Sequence, residues 1–253
     1  MLRIQAHYES TGGLSRYSHV SAARLHGCQV WDVGPLIHVT TGHANSSKSA
    51  GTDVRTHRMG FDVGDLASLR TGDGRLFKVT SLERTVLDCA RILTLEQSAV
   101  IGDHALRKGA GLDRMEQLLA QSPVKRGGRR ALNLLAALDG RSESAGETRT
   151  RLLLHSLGLH SFVPQMEIAT KSGLFRADFA DEVTRIVIEF DGRSKYFDYK
   201  PTDEVILAER QREIALVEEG WLVLRLKWKD LDRPAELRRR LLAMAQRSRR
   251  LSA

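Results

Sequence analysis

Alternating apolar and polar residues mark Arg185–Asp191, RIVIEFD, as a β-strand. Successive side chains of a strand point to opposite sides of its sheet, so Glu189 and Asp191 are predicted to share one face. The opposite face carries the apolar side chains of Ile186, Ile188 and Phe190. A second strand is predicted over Phe175–Asp181, before a short turn, and it contains Asp178. The hairpin is therefore expected to bring three carboxylates close together.

Clustered carboxylates cost free energy in a core and repel one another on an exposed sheet. Hard divalent cations such as Mg²⁺ select carboxylate oxygens. We therefore interpret Asp178, Glu189 and Asp191 as ligands of Mg²⁺ or Mn²⁺. The alternative is that they are solvent-facing acids on an open sheet face.

Helical and extended patterns surround this hairpin. A helix is predicted over residues 147–157, a strand over 165–170, a long helix over 202–219 and a strand over 221–228, with a final basic helix starting near Pro234. The order α, β, β, β, α, β predicts an α/β (α+β) domain at 142–253, in which helices pack against a mixed sheet.

A smaller mixed domain is predicted at 1–121. Residues 18–27 are expected to form a short helix that ends at a glycine, followed by a strand at 36–41. Thr80 or Ser81 is expected to cap a helix that reaches Leu93. Two further helices are predicted at 95–106 and 112–121.

A basic segment at 122–141 separates the two domains and ends in a short helix, predicted at 130–138. Two interpretations remain open for it, a solvated linker and a clamp for DNA phosphates. The candidate DNA-binding residues are Lys125, Arg126, Arg129 and Arg130.

The net charge is +8, and its excess lies in the first part of the chain, with 19 Lys and Arg against 13 Asp and Glu before residue 142, and 20 against 18 after it. A basic protein suits a polyanionic partner, and DNA is the partner that we expect. No apolar run is long enough to cross a bilayer, so we expect a cytoplasmic protein without membrane contact. Cys28 and Cys89 are interpreted as small core residues, and the nine histidines show no pair at zinc-binding spacing.

Four motifs together resemble a known nuclease family. SESAGE, RADFAD, VIEFDGRSKY and LAERQREIALVEEGW running into LVLRLKW occur in the order found in the very-short-patch-repair-like endonuclease domain of the PD-(D/E)XK superfamily. Upstream, HVSAARLHG and KVTSLERTVLDCAR resemble the AbiEi-like region that precedes such domains, named after the antitoxin of a type IV toxin–antitoxin pair. The resemblance implies a restriction-endonuclease-like core after residue 142 and a DNA-binding or partner-binding region before it.

The resemblance also implies roles for individual residues. Asp178 matches the first acid of the family pattern, Glu189 the second, and Glu147 the additional acid on the preceding helix. Asp191 occupies the position where the pattern has a catalytic lysine, so Lys195 or Lys227 would have to supply that charge.

Some of these roles have alternatives. Glu147 can also be an ordinary acid that complements a helix dipole, and Lys195 a solvated loop residue. Arg193 joins the candidate DNA contacts.

Two functions follow as hypotheses. The first is a metal-dependent DNA endonuclease that hydrolyses phosphodiester bonds, whose first domain binds DNA or a protein partner. The second is a DNA-binding regulator or AbiEi-like antitoxin that has lost catalysis, as the residue Asp191 suggests. A purely structural interaction protein is a third alternative.

Overall fold

The computed structural model describes residues 1–42, 53–62, 64–121, 127–192 and 203–251. The chain divides into two compact units, Met1–Ala145 and Gly146–Ala253. The predicted division had domains at 1–121 and 142–253 with a basic segment between them. The helix of that segment belongs to the first unit.

The first unit contains six helices and five strands among its described residues. They are α1 (Leu2–Ser10), β1 (Arg16–Tyr17), α2 (His19–Leu25), β2 (Ile37–Thr41), β3 (Val54–Arg58), β4 (Leu66–Arg70), β5 (Leu76–Thr80), α3 (Leu82–Ile92), α4 (Leu95–Arg107), α5 (Leu112–Gln121) and α6 (Gly128–Leu135). The strand order is β3-β2-β1-β5-β4. The β1–β5 and β2–β3 pairs are parallel, whereas β1–β2 and β4–β5 are antiparallel.

Aromatic packing holds the sheet of the first unit to α1. The Tyr17 and Phe77 rings are fully buried at 5.6 Å between centroids, and Tyr8 of α1 packs on Phe77 at 4.5 Å. Each such pair contributes about 0.5–1.5 kcal/mol beyond the area that it buries. Neither this helix nor the strands β1, β3, β4 and β5, which are short or half exposed, were predicted from the sequence.

The predicted cap of α3 and the predicted core cysteines are confirmed in the first unit. The Ser81 side chain accepts a hydrogen bond from the Arg84 amide and so caps α3, while Thr94 and Gln97 form a reciprocal capping box on α4. Cys28 and Cys89 are buried free thiols.

The second unit is a mixed α/β structure, as predicted. Its elements are α7 (Ala145–Ser156), β6 (Val163–Thr170), β7 (Gly173–Asp181), β8 (Ile186–Phe190), α8 (Asp203–Glu218), β9 (Leu222–Leu226), α9 (Trp228–Leu231) and α10 (Pro234–Leu251). Helix α7 begins one residue before the boundary between the two units. The strands run in the order β6-β7-β8-β9. The β6–β7 and β7–β8 pairs are antiparallel and β8–β9 is parallel, so the sheet is mixed.

The predicted alternation along β8 is confirmed by its two cores. Ile186 and Ile188 are buried on one face, in a cluster with Leu154 of α7 and Leu237 of α10. Val187 is buried on the other face, in a second cluster. That cluster includes Leu216 of α8, Trp221, Ile168 and Ala180. Glu189 follows Val187 by two residues and therefore belongs to the face that α8 covers.

A close contact fixes the start of α7 against the end of β8. A Cβ atom placed on Gly146 would lie 1.8 Å from the Phe190 ring, a distance that no side chain tolerates. Glycine at this position therefore allows the helix backbone to rest on that ring. The contact brings the first turn of α7, which contains Glu147, next to the carboxyl end of β8.

The C-terminal part of the sheet ends earlier than predicted. Strand β9 stops at Leu226, and Trp228 opens the short helix α9 instead of ending the strand. The Lys227 amide donates to the Asp230 carboxylate at 2.8 Å, which closes this turn. No helix in the described ranges is long and apolar enough to cross a membrane.

Candidate active site

The carboxylate of Asp178 lies at a fork between two strands. The β7–β8 ladder runs from Asp181–Ile186 to Phe179–Ile188, where its pairing stops. At the next step Asp178 Oδ2 accepts a hydrogen bond from the Phe190 amide at 2.7 Å. A side chain thus replaces the backbone carbonyl as the acceptor. This contact holds the carboxylate against the chain between Glu189 and Asp191.

Glu189 is the neighbour of Asp178 across the sheet. The register of the β7–β8 ladder, continued by one residue, puts these two acids opposite each other. On its other side Glu189 pairs with Arg225 of β9. The register of β7 and β8 is therefore consistent with the prediction that Asp178 and Glu189 share one face of the sheet.

Arg212 of α8 forms an ion pair with Glu189. Its Nη2 atom lies 3.0 Å from Glu189 Oε1, and the two side chains are 34% and 23% exposed. Arg212 Nη2 also donates to the Arg176 carbonyl on β7, which ties α8 to the same strand as Asp178. A second ion pair, Arg225 with Glu213 at 2.9 Å, lies beside it. A cationic group is therefore present at the acids.

Glu147 is buried at the first turn of α7, with 7% of its surface exposed. Its Oε2 atom accepts a hydrogen bond from Gln165 Nε2 at 2.8 Å. The flanking β6–β7 pairs put Gln165 opposite Asp178, and its φ of +55° is in the left-handed region. A backbone held in that region stores strain of the kind found at functional sites. Gln165 thus connects Glu147 to the strand pair that carries Asp178.

Asp191 follows the last residue of β8 and is partly buried. Its amide donates to the Leu226 carbonyl at 2.8 Å, which extends the parallel β8–β9 pairing by one bond. The next residue, Gly192, accepts a hydrogen bond from the Trp228 indole at 3.3 Å. Trp228 also packs edge-on against Phe190 at 4.9 Å. The backbone around Asp191 is therefore held in place by β9 and α9.

The carboxylates of the three acids of the hairpin do not converge on one point in the described structure. Within the described ranges, Asp178, Glu189 and Asp191 are not a group whose carboxylate oxygens all lie within 4.8 Å of one another. Arg212 holds Glu189 toward α8. The site consists of the Asp178–Glu189 pair, with Asp191 next along the chain and Arg212 as the counter-charge.

Other predicted site residues have different positions. Arg129 and Arg130 are exposed at the start of α6, where Arg130 contacts the Arg91 carbonyl at 3.4 Å. The remaining predicted residues, Lys125, Arg126, Arg193 and Lys195, lie outside the described residues. Lys227 is exposed, next to the Leu226 carbonyl that bonds Asp191.

Three residues at the site were missed by sequence reasoning. Arg212 was not among the candidate residues, yet it pairs with Glu189. Gln165 and Trp228 were seen only as the first and last residues of predicted strands. For Arg212 the helical pattern offers a signal, because Leu216, one turn later, faces the sheet.

The chemistry of these donors fits a hard divalent cation. Carboxylate oxygens from Asp178, Glu189 and Asp191 are the ligand type that Mg²⁺ and Mn²⁺ prefer, and they lie at a sheet end rather than in the core. A cation that binds this site would compete with Arg212 for the carboxylate of Glu189. The ion pair is partly exposed, so this exchange has a small free-energy cost, about 1 kcal/mol or less.

Sequence comparisons identify distant relatives of unknown function. No family model matches the chain. The chain is 29% identical over 186 residues to the uncharacterized protein Rv2248 of Mycobacterium tuberculosis strain H37Rv. It is equally similar to the uncharacterized protein MT2308 of Mycobacterium tuberculosis strain CDC 1551. The match covers 72% of this chain and 66% of each relative, slightly less than two thirds of their length.

Proposed function

We propose that this protein is a metal-dependent DNA endonuclease whose second unit is a restriction-endonuclease-like domain of the PD-(D/E)XK type. The element order α7, β6, β7, β8, α8, β9 and the mixed sheet agree with the αβββαβ core of that fold. The observation that carries the proposal is the position of Asp178, at the point where the pairing of β7 and β8 stops. Its carboxylate bonds the Phe190 amide at 2.7 Å, beside Glu189.

The acids at the fork would hold Mg²⁺ or Mn²⁺. Asp178 and Glu189 are the primary ligands in this proposal, and Asp191 is a further ligand in place of the usual lysine. Such a cation, when bound, polarises a phosphodiester and lowers the pKa of a coordinated water. Glu147, through Gln165, positions the strand that carries Asp178 and adds negative charge next to the site.

Arg212 is proposed to bind the DNA phosphate once Glu189 turns to the cation. A guanidinium presents paired donors that match phosphate oxygens, and it stays charged at every relevant pH. It therefore offsets the charge that develops on the phosphate during hydrolysis. Lys195 and Lys227 are the other candidates for this role, and the exposed Arg129 and Arg130 of the first unit are candidate backbone contacts.

Cleavage assays with matched variants test the proposal. Supercoiled plasmid, single-stranded DNA and mismatched duplex are incubated with Mg²⁺ or Mn²⁺ and wild type, Asp178→Asn, Glu189→Gln or Glu182→Gln. Glu182 lies at the other end of the same hairpin and is exposed, so its variant is the control. We expect the first two variants to lose at least about 100-fold in rate, as is usual for a lost catalytic electrostatic group. Equal cleavage by all four proteins would reveal a contaminating nuclease and refute the assignment.

A second candidate function is a DNA-binding regulator, such as an AbiEi-like antitoxin, with an inactive nuclease fold. Two observations favour it, the Glu189–Arg212 ion pair and an acid at the position of the catalytic lysine. Calorimetry separates the two functions. Salt-sensitive DNA binding without any binding of Mg²⁺ or Mn²⁺ at millimolar metal would favour the regulator.

A further inference from the structure

Three histidines of the first unit converge although they are distant in sequence. His19 opens α2, His38 lies on β2 and His57 lies on β3. One ring nitrogen of each residue is within 4.8 Å of those of the other two. His19 is 1% exposed and His38 is 6% exposed, while His57 is partly buried. These histidines lack zinc-binding spacing in the sequence, because their contacts are tertiary.

Strand register explains the convergence of His38 and His57. Strands β2 and β3 are parallel, with His38 opposite Arg55 and Thr40 opposite His57. Both histidines thus occupy the same face of the sheet, because residues two apart on a strand share a face. His38 Nδ1 and His57 Nε2 lie 2.9 Å apart.

His19 completes the cluster from the helix side. Its ring stacks on His57 with 3.7 Å between centroids and 18° between planes. The His38 amide donates to Ser21 Oγ of α2 at 2.8 Å, and the Ser18 amide donates to the His38 carbonyl at 3.1 Å. These bonds lock α2 to β2.

The backbone at His19 is unusual. Its φ is +49°, in the left-handed region that only a few per cent of non-glycine residues adopt. Holding a buried residue in this conformation costs about 1–3 kcal/mol, and such strain accumulates at functional sites.

A hydroxyl chain fixes the orientation of the His19 ring. Thr40 Oγ1 donates to Ser18 Oγ at 2.6 Å, and Ser18 Oγ lies 2.9 Å from His19 Nδ1. When Nδ1 donates its proton to Ser18, Nε2 carries the lone pair. Histidines that bind metals are oriented in this way by a hydrogen bond at the second ring nitrogen.

The three rings are held in the neutral form. Burial, with a smaller effect of the neighbouring histidines, lowers the pKa of His19 to about 2. Burial lowers the pKa of His38 and of His57 to about 4. Neutral imidazole is the form that coordinates metal ions.

We propose that His19, His38 and His57 form a binding site for a divalent transition-metal ion of the Zn²⁺ class. Imidazole nitrogens suit Zn²⁺ and related ions, whereas Mg²⁺ prefers oxygen. At Zn–N distances of about 2.0–2.1 Å, His38 Nδ1 and His57 Nε2 need to separate by a few tenths of an ångström. The stacked His19 and His57 rings also need to rotate, because imidazole lone pairs lie in the ring plane. Three histidines of this kind are the protein ligands of catalytic zinc sites such as that of carbonic anhydrase.

Four arginines approach the cluster, and buried carboxylates neutralise two of them. Arg24, which approaches His38, donates to the Val33 and Gly34 carbonyls. Arg84 and Arg91, which approach His19, are neutralised by buried carboxylates. Arg84 contacts Asp65 at 2.6 Å and Asp88 at 2.9 Å, and Arg91 contacts Asp88 at 3.0 Å. The exposed Arg55, which approaches His38 and His57, is in contact with solvent that screens it.

Metal titration of the full chain tests the proposal. The protein is stripped with a chelator, freed of it and titrated with Co²⁺, followed by its visible absorption, and with Zn²⁺ by calorimetry. We expect roughly one ion per chain, bound to imidazole, and no displacement by millimolar Mg²⁺. His57→Gln and His38→Gln should lower the affinity at least about 100-fold. The partly buried His57 is the safer substitution for folding.

Three controls separate this site from others. Substitution of both exposed histidines of the second unit, His155→Gln with His160→Gln, should leave Co²⁺ binding unchanged. The Co²⁺ titration is repeated in millimolar Mg²⁺, which occupies carboxylate sites but not imidazole sites, so the histidine site is tested independently of the nuclease proposal. Circular dichroism in chelator checks that His57→Gln is folded.

X-ray absorption on the wild-type Zn²⁺ form counts imidazole ligands without any substitution. A spectrum with three imidazoles supports the site. Absence of wild-type binding at micromolar Zn²⁺, unchanged affinity in folded His57→Gln, or a spectrum without imidazole would overturn the proposal. In that case the trio is a hydrogen-bonded cluster of neutral rings.

Discussion

Arg212 Nη2 lies 3.0 Å from Glu189 Oε1 and joins helix α8 to the acidic end of the second sheet. The same guanidinium donates to the Arg176 carbonyl on the strand that carries Asp178. In the proposed nuclease, this residue competes with the metal for Glu189 and then binds phosphate. Its substitution should therefore affect metal binding and cleavage in opposite directions.

We expect Arg212→Ala to bind Mn²⁺ several-fold more tightly than wild type, because Glu189 loses its counter-ion. Cleavage of plasmid DNA at saturating Mn²⁺ should fall by about 10–100-fold, because a phosphate contact is lost. Calorimetry and a gel assay measure the two effects. Arg210 is exposed and two residues away, so Arg210→Ala should change neither the affinity for Mn²⁺ nor the cleavage rate. Weaker Mn²⁺ binding in Arg212→Ala would contradict this account.

Gly146 and Phe190 provide a test of how the second unit is built. A Cβ atom at residue 146 would meet the Phe190 ring at 1.8 Å, so Gly146→Ala should destabilise the unit by about 1–3 kcal/mol. Urea unfolding measures this change. The double variant Gly146→Ala with Phe190→Leu should recover part of the loss, because leucine leaves space for the methyl group. Equal stability of Gly146→Ala and wild type would disprove the close contact.

The buried ion network around Arg84 should dominate the electrostatic stability of the first unit. Arg84→Met leaves two carboxylates, those of Asp65 and Asp88, buried with one cation fewer. We expect a loss of about 3–5 kcal/mol in the free energy of unfolding. Arg75→Met, which removes partly exposed ion pairs with Glu9 and Asp73, should cost much less, because solvent screens these charges. Similar losses in the two variants would show that burial does not govern these pairs.

Salt dependence tests the predicted DNA contacts of the first unit. Arg129→Ser with Arg130→Ser should weaken DNA binding uniformly across sequences. It should reduce the slope of log K against log salt concentration by about 1.8, since each phosphate contact contributes roughly 0.9. Fluorescence anisotropy over a range of salt concentrations measures the slope. The control, Arg58→Ser with Arg70→Ser, removes two exposed arginines of strands β3 and β4 and should leave the slope unchanged. An unchanged slope in the first variant would remove α6 from the interface.

Local sequence signals were sufficient where the interactions are local. Ser81 caps α3 as its hydroxyl and position predict, because the acceptor and the Arg84 amide are only three residues apart. The alternation along β8 correctly assigned Ile186 and Val187 to opposite faces, each of which packs in its own core. Short strands such as β4, whose exposed face carries the apolar Leu66 and whose other face is only partly buried, lack such a pattern and were missed.

The amino-acid sequence by itself determined which residues are available at the candidate site and the sheet face to which Glu189 belongs. Only the tertiary structure decided their partners, because Asp178 meets the Phe190 amide through strand pairing and Arg212 reaches Glu189 through helix packing. The same holds for His19, His38 and His57, which a helix and two parallel strands bring together. Side-chain periodicity reports the face of an element, whereas contacts between elements depend on register and packing, which no local pattern encodes.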